Sequence, residues 1–106
     1  MHTRNTVTQQ KNSRLSNAIF IFNTLGDESS KVLIKHLRDH GNASLLDLSI
    51  QSGFDPQHVE MHLEQLCLTG VVVRKDSIAG CRYHLDLSRL ASVKTIAREI
   101  AQLYRE

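Results

Sequence analysis

The residues of this 106-residue chain best equipped for chemistry are its six histidines and two cysteines. Four of the histidines form pairs, His36 with His40 and His58 with His62. Their i, i+4 spacing brings two imidazoles to one face of a helix, within reach of one metal ion. Neither pair has a third ligand nearby, and two side chains alone are a poor metal site. His36 and His40 also precede Gly41 by less than two turns, where histidine suits the negative end of a helix dipole. Cys67 and Cys81 fall on different predicted elements and read as a half-buried filler and a strand residue. They are too few for a disulfide framework and fit a reducing compartment. The chain has no nucleophile elbow, no phosphate-binding glycine loop and no H-E-x-x-H, and its length leaves little room for an enclosed pocket. The expectation is a non-enzyme with no catalytic residue, no metal and no cofactor.

Another stretch carries side chains of types that are able to contact nucleic acids. In the stretch PQHVEMHLEQLCLTG, a turn of about 100° per residue gathers Val59, Leu63 and Leu66 on one side. The opposite side carries Gln57, His58, Met61, Glu64 and Gln65. Glutamine can pair bidentately with adenine, methionine can touch a thymine methyl, and histidine can reach a phosphate or a guanine edge. His62 falls at the flank of the buried stripe. Beyond Gly70, the cations Arg74, Lys75 and Arg82 cluster on two predicted strands, where they suit phosphates. Charge pulls both ways. The whole chain carries +2, yet residues 42–70 contain no Lys or Arg against the four acids Asp47, Asp55, Glu60 and Glu64. Residues 1–41 hold six basic and three acidic side chains, and residues 71–106 hold seven and four.

The elements that must position these residues follow from periodicity and punctuation. Residues 1–13 are polar and aperiodic, and read as a tail; Arg4, Lys11 and Arg14 make it a candidate basic arm. A single domain is expected over residues 14–106. Leu15, Ala18, Ile19, Phe22 and Leu25 recur at helical spacing until Gly26, with Phe20 and Ile21 widening the stripe. Asp27 is suited to cap a second helix that turns Val32, Leu33, Ile34 and Leu37 inward and stops at Gly41. A short third helix covers 44–52, with Leu45, Leu48, Leu46 and Ile50 apolar. Gly53 makes a turn, and Asp55 before Pro56 is a good entry to the next helix. Residues 71–85 alternate as a hairpin around Gly80. From Leu87 the period is helical again through Leu90, Val93, Ala97, Ile100 and Tyr104, with Ile96 and Leu103 in a second row. No segment approaches the roughly 20 apolar residues of a membrane span, and the N-terminus lacks the apolar core of a signal peptide. A cytoplasmic location is expected.

This order of elements resembles the ArsR-type (arsenic-repressor-like) winged helix-turn-helix regulators, over about residues 17–105. The resemblance rests on FNTLGDESSKVLIKHL, on LLDLSIQSGFDPQHVEMHLEQLCLTGVV with its V-x-x-H-L-x-x-L-x-x-x-G-V-V register, and on the wing strand GCRYHL. It implies a mostly α (α+β) fold in which helices flank a two-stranded hairpin wing. It also implies a homodimeric repressor of double-stranded DNA, its recognition helix 55–69 in the major groove and its hairpin 71–85 on the phosphates. The first and last helices, here residues 15–25 and 88–104, would form the dimer interface, which agrees with apolar faces too broad for one small core. The expected DNA contacts are Gln57, His58, Met61, His62, Gln65, Arg74, Lys75 and Arg82. Two departures stand out. The family's C-x-C metal site is replaced by Ser44, Leu45 and Leu46, and its last-helix site keeps Asp86 but no histidine follows His84. Glu60 and Met61 also stand where many members carry serine, arginine or glutamine. The alternative is a winged-helix protein-interaction module that has lost DNA binding.

Overall fold

A computed structural model describes residues 16–103. The polar tail, the arm residues Arg4, Lys11 and Arg14, and Leu15 and Tyr104 lie outside the described residues. The order is α1 (16–26), α2 (Glu28–His40), α3 (Leu45–Ser52), α4 (Pro56–Thr69), β1 (Val72–Ser77), β2 (Gly80–Leu85) and α5 (Leu87–Leu103). This is the predicted winged helix-turn-helix. No helix among the described residues is long and apolar enough to cross a membrane.

Helices α2 to α5 start where a side chain satisfies backbone N–H groups that have no partner within the helix. Asp27 accepts from the Ser30 amide at 3.2 Å to open α2. Ser44 and Asp47 form a reciprocal capping box at α3: the Ser44 hydroxyl accepts from the Asp47 amide at 3.1 Å, and the Asp47 carboxylate accepts from the Ser44 amide at 3.3 Å. Asp55 accepts from the Gln57 amide at 3.1 Å, with Pro56 in the first turn of α4. Asp86 accepts from the Arg89 amide at 3.0 Å at the start of α5. Glycines in the left-handed region end α3 and α4, Gly53 at φ 77° and Gly70 at φ 82°.

The core draws one stripe from each of the middle elements. Leu33 and Leu37 of α2, Leu48 of α3, and Val59, Leu63 and Leu66 of α4 are fully buried with Val72 of β1. β1 and β2 pair antiparallel, with Arg74 opposite Tyr83 and Lys75 opposite Arg82. The sheet gains a third, one-residue rung. Ala43 exchanges two backbone hydrogen bonds with Tyr83, at 3.0 and 2.8 Å, which ties the α2–α3 connection to the wing. On α3, Leu46 and Ile50 face solvent. An eight-residue helix presents only one narrow row to the core, and Leu48 with Ser49 fills it. The terminal helices carry much apolar surface outward. On α5 only Val93 is buried, while Ile96 and Leu103 are 43% and 80% exposed. On α1, Ile19 is 51% exposed.

Candidate nucleic-acid interface

The turn between α3 and α4 is fixed by its own polar side chains. The Ser49 hydroxyl donates to the Phe54 carbonyl at 2.6 Å, and the Phe54 amide donates to the Ser52 hydroxyl at 3.1 Å. With Val59, Leu63 and Leu66 anchored in the core, the outer face of α4 is set without freedom to roll. At its far end the Arg89 guanidinium donates from Nε to the Thr69 carbonyl at 3.0 Å, a cation placed at the negative pole of the helix.

That outer face exposes Gln57, Glu60, Met61 and Glu64, with Gln65 half-buried at its edge. Met61 is 48% exposed, and Leu68 extends the face with 77% exposure. The two histidines take other places. His58 is half-buried; its Nε2 lies 2.8 Å from the Ser29 hydroxyl of α2, and its ring meets Phe54 edge-on at 5.0 Å. His62 is only 6% exposed and is turned inward, away from any groove. It stands three residues after Val59 and four before Leu66, so it shares their buried stripe. Its Nδ1 lies 3.5 Å from the Asp27 carboxylate, an electrostatic approach without the geometry of a formed hydrogen bond. The expectation that His62 meets DNA is therefore corrected: it braces α4 against the start of α2.

The wing cations differ in how free they are. Arg82 reaches back along the sheet, donating from Nε to the Asn42 side-chain oxygen at 2.6 Å and from Nη2 to the Asn42 carbonyl at 3.3 Å. The same guanidinium lies 3.6 Å from Asp47. The Ser44 amide and hydroxyl hold the Asp47 carboxyl below the usual carboxylate range, and Arg82 adds to that effect. Arg74 donates to Asp76 on its own strand at 3.1 Å. The Cys81 thiol and the Arg74 guanidinium keep the Asp76 carboxyl low. Lys75 is exposed and has no ionic partner among the described residues. Beneath this face, burial pushes the Cys67 thiol up, and burial with the neighbouring Cys81 pushes the Tyr83 phenol up to about 12.

Three residues that position the site were not singled out from sequence: Ser29, Asn42 and Arg89. Each acts across 20 or more positions of chain, so no local pattern marks it. Among the described residues no three His, Cys, Asp or Glu side chains come together as a metal-binding group. The His36 and His40 rings stack with their centroids 6.1 Å apart.

No protein-family model matches the sequence. No curated protein matches it closely enough to count as a relative. Solved structures do resemble it. An ArsR-like transcriptional regulator from Rhodococcus sp. RHA1 superposes with a TM-score of 0.71 at 19% identity, over 87% of this chain and 86% of that one. The homodimeric winged helix-turn-helix DNA-binding domain of a possible ArsR-family regulator from Mycobacterium bovis gives 0.69 at 14% identity, over 91% and 88%. The transcriptional repressor BigR from Xylella fastidiosa gives 0.62 at 18% identity, over 93% and 97%. Likeness at this level of identity establishes the fold alone, a winged helix-turn-helix.

Proposed function

We propose that this chain is a DNA-binding transcriptional regulator of ArsR type, a homodimeric cytoplasmic repressor that acts by occupying a palindromic site. The observation that carries the reading is the pairing of a firmly packed outer face on α4 with a hairpin whose exposed Lys75 has no ionic partner among the described residues. Gln57, Met61 and Gln65 would read base edges in the major groove, with His58 at the margin of that contact. Lys75, with Arg74 and Arg82 after release from their present partners, would lie along the phosphates. Self-association through residues 15–25 and 88–104 would set the half-site spacing, and a dimer would double the number of wing cations available to phosphates.

A second reading is favoured by a specific observation. Arg74 and Arg82 already have carboxylate or amide partners, and the exposed face of α4 holds Glu60 and Glu64 but no cation. Such a surface suits a basic protein partner.

One titration separates the two. Fluorescent fragments of the source genome are bound to the purified chain, with anisotropy followed at about 50 and 200 mM salt, the range in which phosphate contacts weaken binding steeply. The DNA reading expects micromolar or tighter binding that falls as salt rises. Absence of binding at both salts, from a folded dimer, sinks it in favour of the protein-partner reading.

A further inference from the structure

Between α1, α2 and α5 lies an open groove of about 460 Å3, within the size range of small-molecule sites. Its floor is apolar: Phe22 and Leu25 of α1, Ile34 of α2, and Leu90, Val93 and Ala97 of α5. Its rim is cationic. Lys31, Lys35 and Arg38 follow one another at i, i+4 and i+7 along α2, and Lys94 faces them from α5. Among the described residues no carboxylate lines the groove.

The rim cations are poorly neutralised. Lys31 lies 3.3 Å from Glu28 and Arg38 lies 3.4 Å from Asp39, both in exposed pairs of the kind that water and salt screen. Lys35 and Lys94 have no ionic partner among the described residues. Like charges at helical spacing repel, and an anion between them would remove that repulsion. The long lysine stems can follow the apolar floor while their ammonium groups reach over it.

The groove draws on the same two stretches proposed for self-association, residues 15–25 and 88–104, but most of its α5 residues are turned away from the exposed row of Ile96 and Leu103. At about 100° per residue, Ile96 and Leu103 point within about 20° of each other; Val93 lies about 60° from Ile96, and Leu90, Lys94 and Ala97 lie about 100–160° from it round α5.

We infer that this groove binds a small amphipathic organic anion, a carboxylate or sulfonate with an aromatic or aliphatic body. The apolar body lies on Phe22, Ile34 and Val93, and the charge meets Lys35 and Lys94. The inference does not depend on whether α4 contacts DNA, and its test reads ligand binding alone.

The full chain is titrated with 1-anilinonaphthalene-8-sulfonate and, separately, with uncharged N-phenyl-1-naphthylamine, by fluorescence. Octanoate and octanamide then compete for the bound sulfonate. The expected result is saturable binding of one sulfonate per chain, at least about tenfold tighter than the neutral probe, a gap of about 1.4 kcal/mol. Octanoate displaces it and octanamide does not. The double variant Lys35→Gln, Lys94→Gln alters two exposed side chains, so its melting curve should match that of the parent. It should lose the preference for the anion while keeping the neutral probe, and Ala97→Trp should exclude both. Equal affinity for the two probes, an anion affinity unchanged in the double variant, insensitivity to Ala97→Trp, or no saturable binding would each overturn the inference.

Discussion

Lys75 and Arg82 stand opposite each other across the hairpin, yet their surroundings assign them different work. Lys75 touches nothing ionic among the described residues, so Lys75→Ala should leave the melting temperature unchanged. If the wing tracks phosphates, the same variant should weaken binding to all DNA sequences and reduce the salt slope by about one per protomer. Arg82→Ala should weaken DNA binding too, and it should also destabilise the fold by about 1 kcal/mol in urea unfolding, the usual scale for losing a hydrogen-bonded link. An Arg82→Ala protein with parental stability would mean that the Asn42 contact holds nothing. The residue types of the wing could be read from sequence, since basic side chains at a hairpin are a local pattern. Their partners could not, because Arg82 and Asn42 are 40 positions apart. His62 shows the converse. Its i, i+4 relation to His58 draws attention to a metal or to DNA, whereas its relation to Val59 and Leu66 places it indoors. At the same scale, burial raises the Cys67 pKa, so the neutral thiol is favoured and the nucleophilic thiolate is scarce near neutral pH. Iodoacetamide should therefore alkylate Cys67 more slowly in the folded chain than in urea, as read by peptide mass spectrometry; equal rates would show the thiol to be open.

Element boundaries were readable because caps are short-range chemistry. Asp27, Ser44, Asp55 with Pro56, Gly53 and Gly70 each act within a few residues of where they stand, and they mark the starts of α2, α3 and α4 and the ends of α3 and α4. The Ala43–Tyr83 rung was not readable, since one residue has no periodicity. The cap of α3 should show its charge in acid. The folded Asp47 pKa lies below its ordinary value of 3.8, so its contribution is present above that pH and is lost as pH falls through the folded value. Melting temperatures of the parent and Asp47→Asn should accordingly differ at pH 7 and converge on acidification below about pH 4. A difference that persists unchanged in strong acid would remove the carboxylate from the argument. Gly70 carries the other test of an element end. Its φ of 82° strains any L side chain, and a Cβ there would stand 3.3 Å from Arg89 Nε, the group that caps α4. Gly70→Ala should cost about 1–2 kcal/mol in urea unfolding.

For the whole molecule, the sequence carries more apolar surface on its terminal helices than one small core can take up, but cannot say where the surplus goes. α1 and α5 border a common cleft, lined by Ala18, Ile21 and Phe22 from one helix and Val93 and Ile96 from the other. They still leave Ile19, Ile96 and Leu103 facing outward, a second row that intrachain packing does not cover. Exposed apolar rows on two adjacent helices are what a self-complementary two-fold contact buries, since each copy supplies the same pair. The double variant Ile96→Glu, Leu103→Glu places two carboxylates in that row and leaves α2, α3, α4 and the wing untouched. Light scattering at micromolar concentration should find the parent as a dimer and the variant as a monomer, with helical content nearly unchanged. A palindromic site is held by two linked modules, so the monomer should bind it at least about tenfold more weakly while a single half-site is bound as before. A parental chain already monomeric at that concentration would end the two-fold reading and leave the row to a different partner. A dimeric variant would move the interface elsewhere on the surface.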